Sequence, residues 1–326
     1  MSRIFVICSF VASVFLVSCG KVVNNRLPGA IGNITEMLVV MPDHLWSGRH
    51  GDSIRALFSE PVWGLPALEP MFTLRHQSSL TRLMQKHRSI VIVNLDPELQ
   101  RSNLRVRHNV HSSHQVIFNI DAPSADSTVS NIYRNRDVIS SLILAKGREA
   151  LIHDYSKIID KPITERLREK FNVDIVIPRN YTFNDERENF VYLLREQGER
   201  LWGILLWDEP YVSIGQLETD SLLIKMNAMT ERYVPGEREG SFLATERTVP
   251  PFVRRFEKNG VYTVQMNGLW QLENGFMGGP YVSQTIVDIN RARLITGVGF
   301  VYFPNREKLE MIRQLEAILH SMTPIN

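Results

Sequence analysis

The sequence predicts an α+β fold: mixed, largely antiparallel sheets with packed helices. Three observations predict it. Short β-branched runs such as Ile90–Leu95 alternate with helical periodicity in the first half. Closely spaced strands dominate the second half, led by Phe190–Arg195 and Leu201–Trp207 around a Gln197-Gly198 turn. The glycine fingerprint and phosphate loop typical of nucleotide-binding doubly wound sheets are both missing.

The elements follow in order. Glu36–Met41 is a buried strand ended by Pro42. Asp52 is placed to cap a short helix, Ser53–Ser59, with Ile54, Leu57 and Phe58 on one face. Three prolines and Gly64 make Pro61–Pro70 an extended loop. Met71–Arg75 is a strand, and Ser78 or Ser79 caps a helix with Leu80, Leu83, Met84 and His87 on one side. Gln115–Ile120 alternates as a strand. A long helical stretch from Asp126 to about Ile159 divides the halves, and Asp160 and Pro162 mark a break and a restart carrying Ile163, Leu167 and Phe171. Val173–Ile177 opens the second half as a strand, and a helix lies between Asp220 and Tyr233. Polar, Gly- and Pro-containing residues make Pro235–Pro251 a loop. Strands at Val261–Leu269, Tyr281–Ile289 and Leu294–Tyr302 follow, and Asn305 caps a final helix with Leu309, Ile312, Leu315 and Leu319 inward. Each half opens on a strand ending in proline and closes on a helix, which leaves an internal duplication open, with no residue-level repeat to decide it.

Ahead of this body, Arg3 and the apolar run Ile4–Val17 lead into Leu16-Val-Ser-Cys19-Gly20. The run is about fourteen residues, short of the ~20 that span a bilayer, and reads as an export signal. Its tail resembles the lipobox of bacterial lipoproteins, with cleavage before Cys19 and acyl chains on its thiol and new amino group. The position of Cys19 directly after Leu-Val-Ser disfavours a plain secretory signal or an uncleaved anchor. Burial of acyl CH₂ groups at about 0.8 kcal/mol each then holds the protein on a membrane. The expected organisation is a signal at 1–18, a lipidated tether at 19–34, and α+β halves at 35–171 and 172–326. Gly20 is not acidic and no acidic cluster follows, so by known sorting rules the expected address is the outer membrane, facing the periplasm. A near-neutral charge of +2 gives no global pull toward nucleic acid or an anionic membrane. Beyond Cys19 the body has no cysteine, hence no thiolate for catalysis or for cysteine-ligated zinc.

Two segments resemble a known family. One comprises Glu36-Met-Leu-Val-Val, Trp46, Gly51-Asp52, Arg55, Phe58, Gly64-Leu-Pro66 and Glu69-Pro70; the other comprises Asn267-Gly-Leu-Trp270, Met277-Gly-Gly-Pro280 and Gly299-Phe-Val-Tyr-Phe-Pro304. Together they resemble an uncharacterised lipoprotein family of Bacteroidetes-type bacteria, domain of unknown function 4837, from Thr35 onward. Ala67 stands where that family often has glutamine. The family has no assigned catalytic residues, so the resemblance implies none here.

Candidate sites weigh as follows. His108, His111 and His114 lie three apart; on a strand His111 points away from the other two, and the surrounding Asn109, Ser112 and Ser113 are poor helix formers, so a solvated loop is preferred to a metal site. Asp43, His44, Trp46, His50, Asp52 and Arg55 crowd a stretch after a strand, where acid–base chemistry by a carboxylate beside a His competes with capping and packing. The amides of Gly278 and Gly279 could meet an anion or merely turn a strand; Trp270, Phe276 and Tyr281 beside them, with Trp202, Trp207 and Tyr211, would form an aromatic platform if exposed, but alternating placement in strands puts most of them in the core. Ser141, Ser213 and Ser283 lack a nucleophile-elbow setting. No catalytic residue, metal or cofactor is assigned.

The expected function is a membrane-anchored, non-enzymatic envelope protein that binds a protein or glycan component and no nucleic acid. The alternative is a hydrolase or transferase acting on envelope material. Convergence of Asp52, Arg55 and Tyr281 in one cleft would favour the alternative.

Overall fold

A computed structural model describes residues 27–325, so Cys19 and the expected export signal lie outside the described residues. The fold is α+β. Apolar residues fill β1 (Glu36–Val40) because both its faces are covered, as parallel sheets require. A short helix α1 (Asp43–Trp46) and α2 (Arg49–Phe58) follow, then the edge strand β2 (Thr73–Gln77). Next come β3 (Ser89–Leu95), β4 (Asn103–His108) and β5 (Val116–Ala122), completing a sheet of order β2-β1-β3-β5-β4. The first four of these strands pair in parallel and β4 runs antiparallel to β5.

Two expectations in this half are corrected. Asp52 does not cap α2, because the helix begins three residues earlier with Gly48 at its N-cap and Asp52 inside the first turn. The expected helix through Leu80–His87 is only a 3-10 turn, Met84–Lys86, with Leu83 60% exposed. Long-range bonds claim its carbonyls: Gln115 Nε2 donates to Gln85 O and His87 O, and Ile31 N donates to Lys86 O. β4 was not foreseen, because only Leu104 and Val106 are even half-buried on this polar edge.

A 33-residue helix, α3 (Ala125–Lys157), starts on Ser124, whose side chain accepts from Ser127 N. Asp160 caps α4 (Lys161–Phe171) by accepting from Ile163 N, with Pro162 in the first turn as its fixed φ favours. The expected strand at Val173–Ile177 shrinks to β6 (Val173–Asp174), while Ile175 and Ile177 are buried as irregular chain.

The second sheet is antiparallel throughout. It is built from β7 (Thr182–Arg187), β8 (Phe190–Gln197), β9 (Arg200–Pro210), then, after α5 (Thr219–Tyr233), β10 (Phe242–Thr245), β11 (Phe252–Lys258), β12 (Val261–Glu273), β13 (Gly278–Asp288) and β14 (Arg293–Tyr302). Its order is β10-β12-β13-β14-β9-β8-β7, with β11 also on β12. Gly198, at φ +61°, makes the β8–β9 turn that L-residues adopt poorly. The helix α6 (Leu309–Ser321) and β15 (Thr323–Pro324), paired with β6, end the described chain. Period-two alternation sends Val191, Leu193 and Ile204 to a core shared with α4 and α6, and Phe190, Tyr192 and Leu205 to one shared with α5. The two sheets differ in strand order and direction, so the similar openings of the halves do not extend to topology. No described helix is long and apolar enough to cross a membrane.

Asn305 does not cap α6; it sits in the left-handed region at φ +56°. Glu69, 4% exposed and drawn from the proline loop, does so instead: its two carboxylate oxygens accept from Lys308 N and Leu309 N, each at 2.8 Å. A carboxylate here satisfies two orphan amides and the positive end of the helix dipole. Glu69→Ala is expected to cost about 2 kcal/mol by urea denaturation, and Glu69→Gln, which keeps one acceptor, less.

Candidate functional site

The first predicted cluster does assemble, but its groups are spent on each other. Arg55, on α2, donates to Trp46 O at 3.1 Å and to Asp52 Oδ1 at 2.7 Å, and its guanidinium lies 4.4 Å over the Trp46 ring. His76 from β2 stacks on the same ring at 4.8 Å and 5°, with Nε2 2.8 Å from Met41 O. The stack ties α1 and α2 to the edge of the first sheet. The Asp52 carboxylate is 72% exposed, so its pairing with Arg55 is worth little.

The second cluster is a packing device. Trp270 on β12 and Tyr281 on β13 are 3% and 2% exposed. Trp270 Nε1 donates to Val301 O at 3.1 Å. That bond needs Gly279: a Cβ there would lie 2.0 Å from Val301 O and 3.0 Å from Trp270 Nε1. The Tyr281 ring likewise occupies the space where a side chain at Gly268 would stand, and burial pushes its hydroxyl pKa up. Gly278 and Gly279 are paired with Gln271 and Trp270 in the ladder, which makes them strand residues.

These two clusters do not form one cleft. The cavity that Trp46 lines shares no residue with the one that Trp270 lines, and Asp52, Arg55, Gly278, Gly279 and Tyr281 line neither. The cavity beside Trp270 is about 290 Å³. It is lined by Tyr192, Trp270 and Phe300, by the chain after α5 (Val234–Glu237), and by Leu272 and Met277. Its lining is mostly apolar, the usual character of a small binding site. Phe276, next to Met277, is 90% exposed, with the Arg238 guanidinium 5.0 Å over its ring. Of the aromatic residues flanking the glycines, Phe276 is thus the exposed one.

A buried polar network escaped the sequence reading. Glu316 on α6 lies between Arg148 of α3 and Arg313, at 3.3 and 2.7 Å, where the two halves meet. Gln265 Nε2 reaches Glu316 at 3.4 Å, and Gln284 Nε2 donates to Gln265 Oε1 at 3.0 Å. Burial alone would raise the Glu316 carboxyl, but Arg313 and Arg148, with hydrogen bonds from Arg313 and Gln265, outweigh it and hold the group below its ordinary value. A cavity of about 20 Å³ beside Arg148 and Glu316 has room for about one water. Nearby, Lys258 Nζ donates to His320 O and, at 2.7 Å, to Met322 O at the end of α6. Burial and then Arg148 push Lys258 down to about 8; burial and the cations Arg148 and Lys258 push His320 down to about 3. The signal was present: Glu316 interrupts an otherwise apolar run, Leu315–Leu319.

The three histidines part company. His108 ends β4, His111 and His114 lie in the following turn, and His114 packs on His153 of α3 at 4.9 Å. Among the described residues no group of three potential ligands is placed to hold a metal ion.

Residues 160–321 match the family described as Domain of unknown function (DUF4837). Residues 30–156 match a second, Domain of unknown function (DUF8532). The motif around Trp46 thus falls in the second match and the motif around Trp270 in the first. No curated protein matches the chain. Among solved structures, the human StarD13 (DLC2) lipid transfer and protein localization domain is similar at 10% identity and a TM-score of 0.21, covering 51% of this chain and 96% of that one. At that score the likeness carries no argument.

Proposed function

From a chain whose residues 160–321 belong to the family of domain of unknown function 4837, we propose an envelope lipoprotein, held by acyl chains on Cys19, that works as a non-enzymatic binding module. Its address is the outer membrane, facing the periplasm. The observation that carries the binding reading is the pocket at Trp270, an apolar recess beside the 90% exposed Phe276. An apolar recess suits an apolar side chain of an envelope protein better than a glycan, because Trp270 is buried and the Phe276 ring already carries the Arg238 guanidinium. The anchor reading rests on the Leu-Val-Ser-Cys19 segment.

One experiment addresses both parts. Cells expressing wild type, Cys19→Ser, and the double variant Phe276→Ser/Met277→Glu are fed labelled fatty acid, cross-linked and fractionated. Wild type is expected to take up label and sediment with membranes, and Cys19→Ser to do neither. The double variant is expected to stay anchored and folded, at a cost of about 1–2 kcal/mol because Met277 packs against the core beside Trp270, and to lose a discrete cross-linked protein that wild type retains. Membrane sedimentation of Cys19→Ser would sink the anchor; identical cross-links in wild type and the double variant would sink the pocket.

A further inference from the structure

The first sheet has a basic end, and the tether leaves from it. Pro28 O accepts from Ser113 N, Ile31 N donates to Lys86 O, and Arg88 N donates to Ile31 O. The chain therefore enters the body against the segments that precede β3 and β5. His108, paired with Val116, is at the same end because β4 runs antiparallel to β5.

Charge is segregated here. Residues 20–33, 78–89 and 107–115 contain Lys21, Arg26, Arg82, Lys86, Arg88 and Arg107 and not one Asp or Glu, in a chain whose 37 Lys and Arg nearly balance 35 Asp and Glu. Arg82, Lys86, Arg107 and His108 are exposed. The carboxylates that come near are already engaged: Glu36 with His87 and Arg75, Glu149 with Lys146, and Asp154 with Lys157. Leu27 and Leu83, 40% and 60% exposed, lie among the cations.

We propose that this end of the sheet rests on the phosphate headgroups of the bilayer that holds the anchor. The inference builds on the lipid anchor at Cys19. Leu27 is eight residue steps from Cys19, and a chain extends at most about 3.6 Å per step, so the body stays within roughly 30 Å of the surface. Within that reach, the end of the body joined to the tether meets the membrane first. Clustered Lys and Arg beside a membrane anchor gain from anionic headgroups, and the gain fades within a Debye length. Exposed leucines among them suit the headgroup boundary.

Two measurements test it. In the first, the mature chain from residue 19, carrying Cys19→Ser and every described residue, is sedimented with phosphatidylethanolamine–phosphatidylglycerol vesicles and with phosphatidylcholine vesicles. Salt-sensitive binding to the anionic vesicles alone is expected. Arg82→Glu/Lys86→Glu/Arg107→Glu should weaken it about tenfold or more, whereas three reversals elsewhere, at Arg101, Arg168 and Arg247, should weaken it far less. In the second, a dye is attached to the acylated protein in vesicles at His108→Cys or at Asn103→Cys, both exposed and roughly 17 Å apart along β4. Brominated lipid should quench the dye at 108 and spare the dye at 103. Equal sedimentation of wild type and the first triple variant, or equal quenching at the two positions, overturns the proposal. Absent fatty-acid labelling would instead overturn the anchor, leaving the vesicle result to stand by itself.

Discussion

Glu316→Ala is expected to destabilise the protein by about 3–5 kcal/mol, the largest loss for any single carboxylate here. Its side chain is 5% exposed between Arg148 and Arg313, which are themselves 18% and 16% exposed. Removing the anion leaves two guanidinium groups facing each other in a place water barely reaches, and a stranded buried charge costs more than its lost pairing. Glu316→Gln keeps the shape and one acceptor, so it should fall between. The pH dependence follows from the depressed carboxyl. Its stabilisation is present above the unfolded value, the ordinary glutamate pKa of about 4.3. It is lost as pH falls through the lower folded value. Urea melts of wild type should therefore lose stability on acidification below about pH 4.5 more steeply than melts of Glu316→Gln. Parallel pH profiles would show that the carboxylate is not the group being titrated.

Gly279→Ala is the second large effect, at about 3 kcal/mol or more. The added methyl would stand 2.0 Å from the Val301 carbonyl, which is backbone and cannot step aside. Strand β13 must shift, the Trp270–Val301 hydrogen bond is lost, and a buried indole N–H is left without a partner. Near-ultraviolet circular dichroism should report the changed Trp270 environment, and the melting temperature should fall. Gly278→Ala meets Trp270 O at 2.9 Å and should cost less. Equal effects would remove Trp270 from the explanation.

Sequence patterning revealed the elements that are mostly buried. Ile90–Leu95 is β-branched because β3 lies between two parallel neighbours. Asp160 and Pro162 marked a helix start because capping is chemistry within one turn. Polar edges were silent: β4, NLRVRH, and β7, TFNDER, bury too little to leave a periodic trace. Distance along the chain hid the rest. Asn305 was the local candidate to cap α6, yet Glu69, 239 residues before Lys308, holds the position. Likewise Trp46, Asp52 and Arg55 were rightly grouped by proximity, but their partner His76 comes from another strand, and only its stacking gives the group its role as a brace. For Trp270 and Tyr281 the alternation of strand residues pointed to the core, and the recess beside Trp270 is also lined by Val234–Glu237, which no local pattern announces.

Helix α6 is gripped at both ends by side chains from other elements, a carboxylate at its amino end and an ammonium at its carboxyl end. Terminal turns of a helix ordinarily open and close independently of the rest of a protein, and their amide protons exchange with deuterium accordingly. Here neither end can open unless the proline loop or β11 lets go. Protection along α6 should therefore be level from end to end, and the amides of its first turn should exchange at the same rate as its middle, through events that open the first half and the second sheet together.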